Sequence, residues 1–333
     1  MRAVVLDAYG DLDVLSIVEV TDPIPGPEEV LVDIVATALN RADLLQRRGL
    51  YPSPPLAGFT PPAPEIPGVE FSGRVAAVGD RVSAWSIGDE VMGIVGGGSY
   101  AERLVVHEDQ LLRIPRGVSV ADAAAIPEVW ITAFDALVVQ GGLTSGRVAL
   151  VHAGGSGVGT AAIQLCRAIG ARVITTASAS KLDACRELGA DLAIDYATQD
   201  FVVECASFTN GAGVDVVLDV IGGDYVDRNI TALRVGGRIV QVGTMGGGRT
   251  EVNIGMLLPK RATIVGTVLR SRSLAEKIAI SKQLAAEVLP LFDAGLVAPV
   301  IDSRFTLDDI AAAHAHMESN ANVGKILIDI DAG

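Results

Sequence analysis

The chain has 333 residues, half of them hydrophobic, which is enough for two domains that each bury a core. Its formal net charge of −14 disfavours nucleic acid and anionic membrane surfaces as partners. No apolar run approaches a membrane span, and the amino-terminal residues lack the features of a signal peptide. Three cysteines without paired spacing fit a reducing cytoplasm, where we expect the protein to be located: Cys166, Cys185 and Cys205.

Residues 1–115 contain short β-rich segments separated by glycine and proline, among them the predicted strands Met1–Asp7, Glu29–Ala36, Gly73–Val78 and Leu104–Val106. Prolines are dense between Pro52 and Pro67, which neither a helix nor a central strand tolerates. That stretch is therefore predicted to be a stiff loop, and the first part of the chain a β-rich domain.

Strand and helix patterns alternate between residues 124 and 268, which predicts an α/β fold with a parallel, doubly wound sheet. The predicted strands of this part are Val148–Val151, Arg172–Thr175, Leu192–Ile194, Val214–Val220, Arg238–Val242 and Ala262–Val268. Alanine and leucine at helical spacing predict a helix over Leu274–Phe292, which Gly295 would end. The apolar segment Val323–Ile330 is a predicted strand that can return to the first domain.

A glycine-rich turn joins a predicted strand to a helix-forming segment, and it reads Gly154-Gly155-Ser156-Gly157-Val158-Gly159. A strand, a tight turn and a helix N-terminus form the context of a dinucleotide phosphate loop, whose backbone N–H groups hold a pyrophosphate. Ser156 replaces the middle glycine of the strict pattern. Taken alone, the motif also fits a glycine-rich turn that binds no ligand.

The second strand of this βαβ unit carries no acid at its end, where an NAD-binding unit places Asp or Glu to bind the ribose 2′-hydroxyl. The segment instead reads Thr176-Ala177-Ser178-Ala179-Ser180-Lys181. Small hydroxyl residues and a cation suit a 2′-phosphate, so the sequence favours NADPH over NADH. The alternative for Lys181 is an ordinary solvated helix residue.

Segments along the whole chain together carry a family resemblance: Asn40–Pro52, Pro67–Gly73, Pro127–Phe134, His152–Leu165, Gly243–Gly248 and Leu269–Arg272. The chain resembles the medium-chain dehydrogenase/reductase superfamily and, within it, the zinc-free quinone oxidoreductases. These segments look like the branch that contains the tumour-suppressor-inducible quinone oxidoreductase of animals and its bacterial relatives.

The resemblance implies two domains with a site in the cleft between them. Residues 1–123 and 269–333 would form a GroES-like catalytic domain, and residues 124–268 a Rossmann domain that binds NADPH. It also implies a homodimer, because in the family the last strand of the Rossmann sheet pairs across a two-fold axis. In this chain that strand is the apolar segment near Ala262–Val268.

Departures from the zinc-dependent relatives predict a site without metal. Those relatives carry Cys, His and Cys where this chain has Asn40, Val69 and Glu128. Asn and Val cannot supply the thiolate and imidazole that a catalytic zinc needs. No cysteine precedes Cys166, so the four-cysteine lobe of structural zinc is missing, and the four histidines do not cluster at ligand spacing.

A site without zinc favours substrates that give a weakly basic anion on reduction. Reducing a ketone gives an alkoxide, whose conjugate acid has a pKa of roughly 16 with water as a guide. Reducing a quinone gives a phenolate-like anion with a pKa of about 10, judging from tyrosine. The difference of ~6 units corresponds to on the order of 8 kcal/mol of charge stabilisation that zinc need not supply. Quinones and activated alkenes are therefore favoured over plain alcohols.

The resemblance also implies a set of catalytic residues. Asn40 and Tyr51 match positions near the nicotinamide ring and the substrate, and the Tyr51 hydroxyl can donate a hydrogen bond to a quinone oxygen. Asp43 and Gln46 match positions around them. The alternatives are a loop tyrosine packed among prolines for Tyr51, and a helix surface for Asp43 and Gln46.

Cofactor contacts are implied at more positions. The glycine-rich turn should line the pyrophosphate, and Ser178, Lys181 and Tyr196 match the 2′-phosphate pocket of relatives that prefer NADPH. Segments that relatives wrap around the cofactor contribute Thr132, Met245, Gly246, Gly247, Leu269, Arg270, Ser271, Asn322 and Lys325. For three of these residues the alternatives are helix stabilisation for Thr132, a solvent-facing position for Arg270 and a strand-edge position for Lys325.

Together these features predict an NADPH-dependent quinone reductase that transfers hydride from nicotinamide C4 without zinc, with protons supplied by Tyr51 or water. Two other functions stay open. The first is an enoyl reductase that uses NADPH to reduce an α,β-unsaturated carbonyl. The second is a non-enzymatic NADPH-binding protein, since the sequence shows no obvious catalytic acid. The expected partners are a small quinone or enone and a second copy of the chain, with neither nucleic acid nor membrane.

Overall fold

The computed structural model describes residues 1–51 and 65–330 of the chain. These residues divide into two compact units. The first comprises the described residues within Met1–Ile131 and Leu269–Gly333, and the second is Thr132–Val268. The proline-rich stretch predicted to be a stiff loop lies largely outside the described residues.

Strands account for much of both units. In chain order they are β1 (Arg2–Leu6), β2 (Leu15–Glu19), β3 (Glu29–Ala38), β4 (Glu70–Val78), β5 (Glu90–Ile94), β6 (Arg103–His107), β7 (Leu111–Arg113), β8 (Val148–His152), β9 (Arg172–Ala177), β10 (Leu192–Asp195), β11 (Val214–Asp219), β12 (Leu233–Gln241), β13 (Thr263–Gly266), β14 (Ile301–Thr306) and β15 (Lys325–Asp329).

The helices are mostly short. They are α1 (Arg41–Arg47), α2 (Val120–Ala123), α3 (Pro127–Phe134), α4 (Gly157–Ala168), α5 (Leu182–Glu187), α6 (Phe201–Phe208), α7 (Tyr225–Ala232), α8 (Ile254–Lys260), α9 (Leu274–Glu287), α10 (Leu289–Asp293) and α11 (Ile310–Glu318). Within the described ranges, none of them combines the length and the apolar character needed to cross a bilayer.

The first unit is built on a seven-stranded sheet in the order β14-β15-β3-β4-β5-β7, with β6 also paired to β3. Alternate residues of β3 point into an apolar core, so that Val30, Val32 and Ile34 are buried. The closing strand β15 pairs antiparallel with β3, with Leu327 opposite Ala38. This pairing confirms that the last predicted strand returns to the first part of the chain.

The helix predicted over Leu274–Phe292 is interrupted, and the prediction of one continuous helix was wrong. α9 ends at Glu287, and α10 begins at Leu289 after the single residue Val288. Pro290 explains the break, because it lacks the N–H that would continue the helical hydrogen bonds and it restricts the residue before it. Gly295 follows α10 with a φ of +68°, as expected for a helix terminator.

The second unit contains the predicted doubly wound sheet. Six strands lie in the order β10-β9-β8-β11-β12-β13, and every neighbouring pair is parallel. Apolar residues of β8, β9, β11 and β12 form its core with Phe201 and Ile230. The chain reverses its direction of travel across the sheet between β8 and β11, and ligands of such sheets bind at the carboxyl ends of the strands beside that point.

Candidate active site

The glycine-rich turn has the geometry of a phosphate loop. β8 ends at His152, and α4 begins at Gly157 with Ser156 as its N-cap. The backbone of Ser156 is extended, so this position does not require glycine, and its Oγ accepts from the Gly159 N–H at 3.0 Å. The N–H groups of Gly157 and Val158 belong to the first helical turn, which has no i→i−4 acceptor, so they can donate to an anion.

Two glycines of this loop are required by close packing. A Cβ on Gly154 would lie 2.0 Å from the Thr175 hydroxyl, and a Cβ on Gly159 would lie 2.3 Å from the Ala153 carbonyl oxygen. The turn thus packs directly on β9, and α4 packs directly on the turn. Ala153 itself has a φ of +59°, so an alanine holds the left-handed position of the loop.

The three residues predicted to bind a 2′-phosphate lie at the carboxyl ends of the strands of the sheet. β9 and β10 are parallel, with Ala177 opposite Asp195, so Ser178 and Tyr196 are the next residues at the same carboxyl edge. Lys181 closes a short 3-10 turn by donating its N–H to the Ser178 carbonyl at 2.9 Å. Its side chain lies beside the phosphate loop, because a Cβ on Gly155 would be 2.6 Å from Lys181 Cδ.

Met245, Gly246 and Gly247 lie after β12, at the same edge of the sheet. Met245 and Gly246 donate their N–H groups to the carbonyls of Val220 and Ile221, which follow β11. Thr132 is buried within α3. The second unit therefore brings the phosphate loop, the predicted 2′-phosphate residues and the 245–247 segment together at the carboxyl ends of its strands.

In the first unit, the predicted catalytic residues Asn40, Asp43 and Gln46 lie at α1. Asn40 is the N-cap, and its N–H donates to Asp43 Oδ2 at 2.8 Å. The Tyr100 hydroxyl donates to the same oxygen at 3.0 Å. Asp43 and Gln46 are buried, so neither occupies the exposed helix surface that was the alternative interpretation.

A buried ammonium group occupies the centre of this cluster. Lys325 Nζ donates to Asn40 Oδ1 at 2.7 Å, to the Leu39 carbonyl at 2.6 Å, and pairs with Glu70 Oε1 at 2.8 Å. These three contacts use all the protons of the ammonium. Lys325 is therefore an interior residue, with only 3% of its surface exposed, and not the strand-edge residue of the alternative interpretation.

Glu70 was not predicted from the sequence. It lies at the start of β4, fully buried, and accepts from Asn40 Nδ2 and from the Glu128 N–H, both at 2.8 Å. The available signal was an acidic residue at the head of the apolar segment Glu70-Phe71-Ser72. A buried carboxylate needs a positive partner, and no local pattern identifies that partner.

The donor set of this cluster does not fit a catalytic zinc. Asn40 and Glu70 both direct an oxygen at the Lys325 ammonium, which would repel a second cation, and Val69 offers no ligand atom. Over residues 1–51 and 65–330, no three His, Cys, Asp or Glu side chains are grouped to hold a metal ion.

Burial perturbs the acid–base groups of the cluster. It raises the pKa of Asp43 to about 6, against the hydrogen bonds from the Asn40 N–H and Tyr100 and the charges of Lys325 and Arg270. Burial also raises the pKa of Tyr51. Asp43 Oδ1 is buried and has no hydrogen-bond partner among the described residues. Asp43 therefore takes up its proton near pH 6.

Arg270 is buried beside Tyr51, with its guanidinium carbon 5.5 Å from the centre of the tyrosine ring. Its Nε donates to the Gly96 carbonyl at 2.9 Å, and its Nη2 lies 3.5 Å from Glu65 Oε1. Gln46 donates to the same Glu65 oxygen at 2.6 Å. Glu65, which was not predicted, thus links Gln46 to Arg270, and Arg270 is not the solvent-facing residue of the alternative.

The remaining predicted residues of the first unit lie near these segments in the chain. Leu269 and Ser271 flank Arg270, and Leu269 is buried. Asn322 lies in the turn before β15, where its Nδ2 donates to the Gly324 carbonyl at 2.9 Å.

Family models match both parts of the chain. The alcohol dehydrogenase GroES-like domain matches residues 26–116, and the zinc-binding dehydrogenase model matches residues 157–285. The synaptic vesicle membrane protein VAT-1 homolog of Homo sapiens is 34% identical over 98% of this chain and 86% of its own length. The chain belongs to the medium-chain dehydrogenase/reductase superfamily of oxidoreductases, and within it is quinone-oxidoreductase-like.

Solved structures agree with this assignment. An Escherichia coli quinone oxidoreductase in complex with NADPH is 28% identical, with a TM-score of 0.88 over 99% of this chain and all of its own. An NAD-dependent alcohol dehydrogenase is 32% identical, with a TM-score of 0.86 over 99% of this chain and all of its own. The JamJ enoyl reductase is 26% identical, with a TM-score of 0.88 over 98% of each chain. These neighbours share the fold and differ in cofactor and substrate.

Proposed function

We propose that this protein is an NADPH-dependent quinone reductase that works without a metal ion. The observation that carries the proposal is the Lys325 ammonium held by Asn40 and Glu70, where zinc-dependent relatives carry a zinc ligand at the position of Asn40. A fixed ammonium whose protons are all engaged cannot bind an alkoxide as a metal ion does. The cluster is therefore suited to a substrate that hydride transfer converts to a weakly basic anion, as it converts a quinone to the hydroquinone monoanion.

The phosphate loop and its neighbours fit a phosphorylated dinucleotide. Gly157 and Val158 would hold the pyrophosphate with their N–H groups, and Ser178, Lys181 and Tyr196 would hold the 2′-phosphate. NADPH, when bound, supplies a hydride to the substrate. The chain itself binds and orients the cofactor through the carboxyl edge of the second unit's sheet.

Groups of the first unit can supply protons to the reduced substrate. The Tyr51 hydroxyl is protonated at neutral pH, since the ordinary tyrosine pKa of 10.0 is raised further by burial. Asp43 holds a proton on its carboxyl in a fraction of molecules near neutral pH, since its pKa is about 6. Arg270, beside the Tyr51 ring, stabilises negative charge that develops on a nearby oxygen.

An enoyl reductase is the second candidate, and the similarity to the JamJ enoyl reductase favours it. Reduction of an enone also avoids a localised alkoxide, because the charge spreads into an enolate. The two candidates therefore share the metal-free site and differ only in the acceptor.

The deciding experiment measures the oxidation of NADPH with 1,4-benzoquinone or 9,10-phenanthrenequinone, with a crotonyl thioester or a pentenone as the enone arm, and with NADH in parallel. Turnover that depends on a quinone and prefers NADPH is the expected result. Turnover with enones alone would replace the first candidate by the second. Tight NADPH binding without turnover on either class would contradict both.

A matched pair of variants tests the cofactor preference. Lys181→Met should lower kcat/KM for NADPH by about 10–100-fold, the effect of one lost charge-assisted hydrogen bond, and leave NADH unchanged. Arg186→Met is the control, because Arg186 is an exposed cation of the same segment that pairs with Asp183. Equal losses with both cofactors would contradict a 2′-phosphate contact.

We also propose that the protein forms a homodimer through β13. This strand pairs with β12 at the edge of the six-stranded sheet, and Ile264 on it is 42% exposed. An exposed apolar edge strand is a template for pairing with a second chain. A second copy of β13 across a two-fold axis would extend the sheet through the dimer.

Light scattering coupled to size exclusion tests this assembly. The wild type should elute as a dimer, and Ile264→Lys should shift it towards a monomer, since it places a charge in the strand pair. Val203→Lys, at an exposed apolar position on α6, is the control and should leave the dimer intact. A monomeric wild type would refute the proposal.

A further inference from the structure

The second unit contains a buried chain of polar side chains that the phosphate loop does not use. Thr176 Oγ1 lies 3.0 Å from His152 Nδ1, and His152 Nε2 lies 2.8 Å from Asn229 Oδ1. Asn229 Nδ2 then donates to Asp219 Oδ2 at 2.9 Å. All four side chains are at most 2% exposed. This hydrogen-bonded network therefore connects the ends of β9, β8 and β11 through α7.

The hydrogen-bond partners fix the direction of every proton in this chain. Asp219 accepts, so the NH₂ group of Asn229 faces Asp219 and its carbonyl oxygen faces His152. A carbonyl can only accept, so His152 carries a proton on Nε2. Burial lowers the pKa of His152 and keeps the ring neutral, which leaves Nδ1 as an acceptor for the Thr176 hydroxyl.

At the Asp219 end of this network, hydrogen bonds organise two loops. Asp219 Oδ1 accepts from the N–H groups of Ile221 and Gly222, at 2.6 and 3.0 Å. The loop shaped in this way is then joined to the 245–247 segment. The three bonds that join them are Met245 N–H to Val220 O, Gly246 N–H to Ile221 O, and Gly223 N–H to Gly247 O.

The Thr176 end of the network lies beside the phosphate loop and the predicted 2′-phosphate residues. Thr176 also accepts the Gly154 N–H on its carbonyl at 2.9 Å, and it precedes Ser178 by two residues. One buried network thus joins the phosphate loop and the predicted 2′-phosphate residues to the 245–247 segment, which is also predicted to contact the cofactor.

We propose that His152 and Asn229 are positioning residues, which hold the 245–247 segment at a fixed distance from the phosphate loop and Ser178. The phosphate loop and Ser178 would then meet one half of the dinucleotide and the 245–247 segment the other half, on one preformed surface at the carboxyl ends of the strands. Neither residue contacts the cofactor. The inference rests on the proposed function, since it concerns the binding of NADPH by the second unit. A preformed binding surface favours binding because no conformational entropy has to be lost to order it when the ligand binds.

The primary variant is His152→Phe. It keeps a ring between Phe201 and Tyr225, both of which lie 4.9 Å from the imidazole, and removes both hydrogen bonds. His152→Gln is the conservative variant, because its amide nitrogen can replace Nε2 as the donor to Asn229. Thr176→Val, which deletes only the terminal hydroxyl, replaces His152→Phe if that variant does not fold.

Thr209→Val is the matched control. The Thr209 hydroxyl donates to the Cys205 carbonyl and accepts from the Gly213 N–H, so this variant also loses one donated and one accepted bond. Thr209 precedes β11 and lies at the other end of the strands from the phosphate loop. It should lower the melting temperature as His152→Phe does.

The readout is the dissociation constant of NADP⁺ and of its fragment 2′,5′-ADP, measured by calorimetry. His152→Phe should weaken NADP⁺ about tenfold, with a partial recovery in His152→Gln, and change 2′,5′-ADP by less than about twofold. The fragment is spared because it does not need the 245–247 segment. Thr209→Val should leave both constants unchanged.

Equal weakening of both ligands in His152→Phe, or no change in either, would overturn the inference. Amide hydrogen exchange without ligand gives an independent decision. Exchange at residues 220–223 and 245–247 should be faster in His152→Phe than in Thr209→Val, and equal rates would also overturn it. A wild type that binds neither ligand would refute the proposed cofactor, and the exchange rates would then decide the positioning role alone.

Discussion

The Lys325 ammonium lies 2.8 Å from the Glu70 carboxylate in the interior of the first unit, and their side chains are 4% and 0% exposed. Two opposite charges at this depth neutralise each other, and the surrounding Asn40, Leu39 carbonyl and Glu128 N–H satisfy their remaining hydrogen bonds. Such a pair is expensive to break from one side, because the remaining charge stays buried without a partner.

Lys325→Met should therefore lower the free energy of unfolding by about 3–5 kcal/mol, as measured by urea denaturation. Adding Glu70→Gln should restore much of this loss, because it removes the isolated charge. Arg74→Met is the control, since Arg74 and Glu90 form an exposed pair that should contribute nothing measurable. A loss in Lys325→Met no larger than in the control would contradict the structure.

Asp43 should make the protein less stable as the pH rises. Its folded pKa of about 6 lies above the ordinary value of 3.8, so the folded state binds the proton more tightly than the unfolded state. The resulting stabilisation is present below pH 3.8 and is lost as the pH rises through 6. Between pH 5 and pH 8 the loss amounts to about 1.5 kcal/mol.

Asp43→Asn should remove that dependence, since the amide oxygen can still accept from the Asn40 N–H and from Tyr100. Its free energy of unfolding, relative to the wild type, should rise by the same amount from pH 5 to pH 8. Asp293→Asn should show no such trend, because Arg113 holds the Asp293 pKa below its ordinary value. A flat difference for Asp43→Asn would exclude a raised pKa.

Local patterns were sufficient to predict the architecture and the phosphate loop. Apolar runs separated by helical patterns determine a parallel sheet, and a glycine-rich turn after a strand determines where α4 begins. Ser156 looked like a departure from the motif, yet its extended backbone and its capping bond to the Gly159 N–H explain the residue. Rules of this kind involve only residues that are close in sequence.

Partners that are distant in sequence were not predictable. Glu70 meets Lys325 only because β4 and β15 both flank β3, and neither residue's neighbours indicate the other. The same is true of Glu65 between Gln46 and Arg270. Tertiary packing decides which charges share an interior site.

His314 should make the protein sensitive to acid. Burial, with the nearby Arg47 charge, lowers its pKa to about 3, and the ring contacts Arg47 Nη1 at 3.5 Å. The unfolded state then binds the proton more tightly, so the contribution of His314 to stability falls as the pH drops below about 6.5. Between pH 7 and pH 5 the loss should be about 2 kcal/mol.

The free energy of unfolding of His314→Gln, relative to the wild type, should rise by about 2 kcal/mol from pH 7 to pH 5, which urea denaturation at pH 5, 6 and 7 would reveal. The opposite contribution of Asp43 is common to both proteins and cancels in this difference. His316→Gln, on the same helix but partly exposed beside Asp302, controls for the loss of a histidine. If the wild type and His314→Gln lose equal stability between pH 7 and pH 5, the buried neutral histidine is not the cause.

Opposite substitutions in the phosphate loop should have opposite effects. Ala153 has a φ of +59°, where a Cβ costs on the order of 1 kcal/mol, so Ala153→Gly should stabilise the protein slightly after the entropy of the added glycine is subtracted. Gly159→Ala should destabilise it by at least about 2 kcal/mol, because the new Cβ would lie 2.3 Å from the Ala153 carbonyl oxygen and 2.6 Å from Gly154. Thermal unfolding measures both, and Gly248→Ala, whose Cβ meets open space, is the control. Relief of the Gly159→Ala contact must shift the N–H groups of Gly157 and Val158, which are proposed to hold the pyrophosphate. A stable Gly159→Ala variant with unchanged NADP⁺ affinity would therefore mean that α4 does not pack directly on the turn.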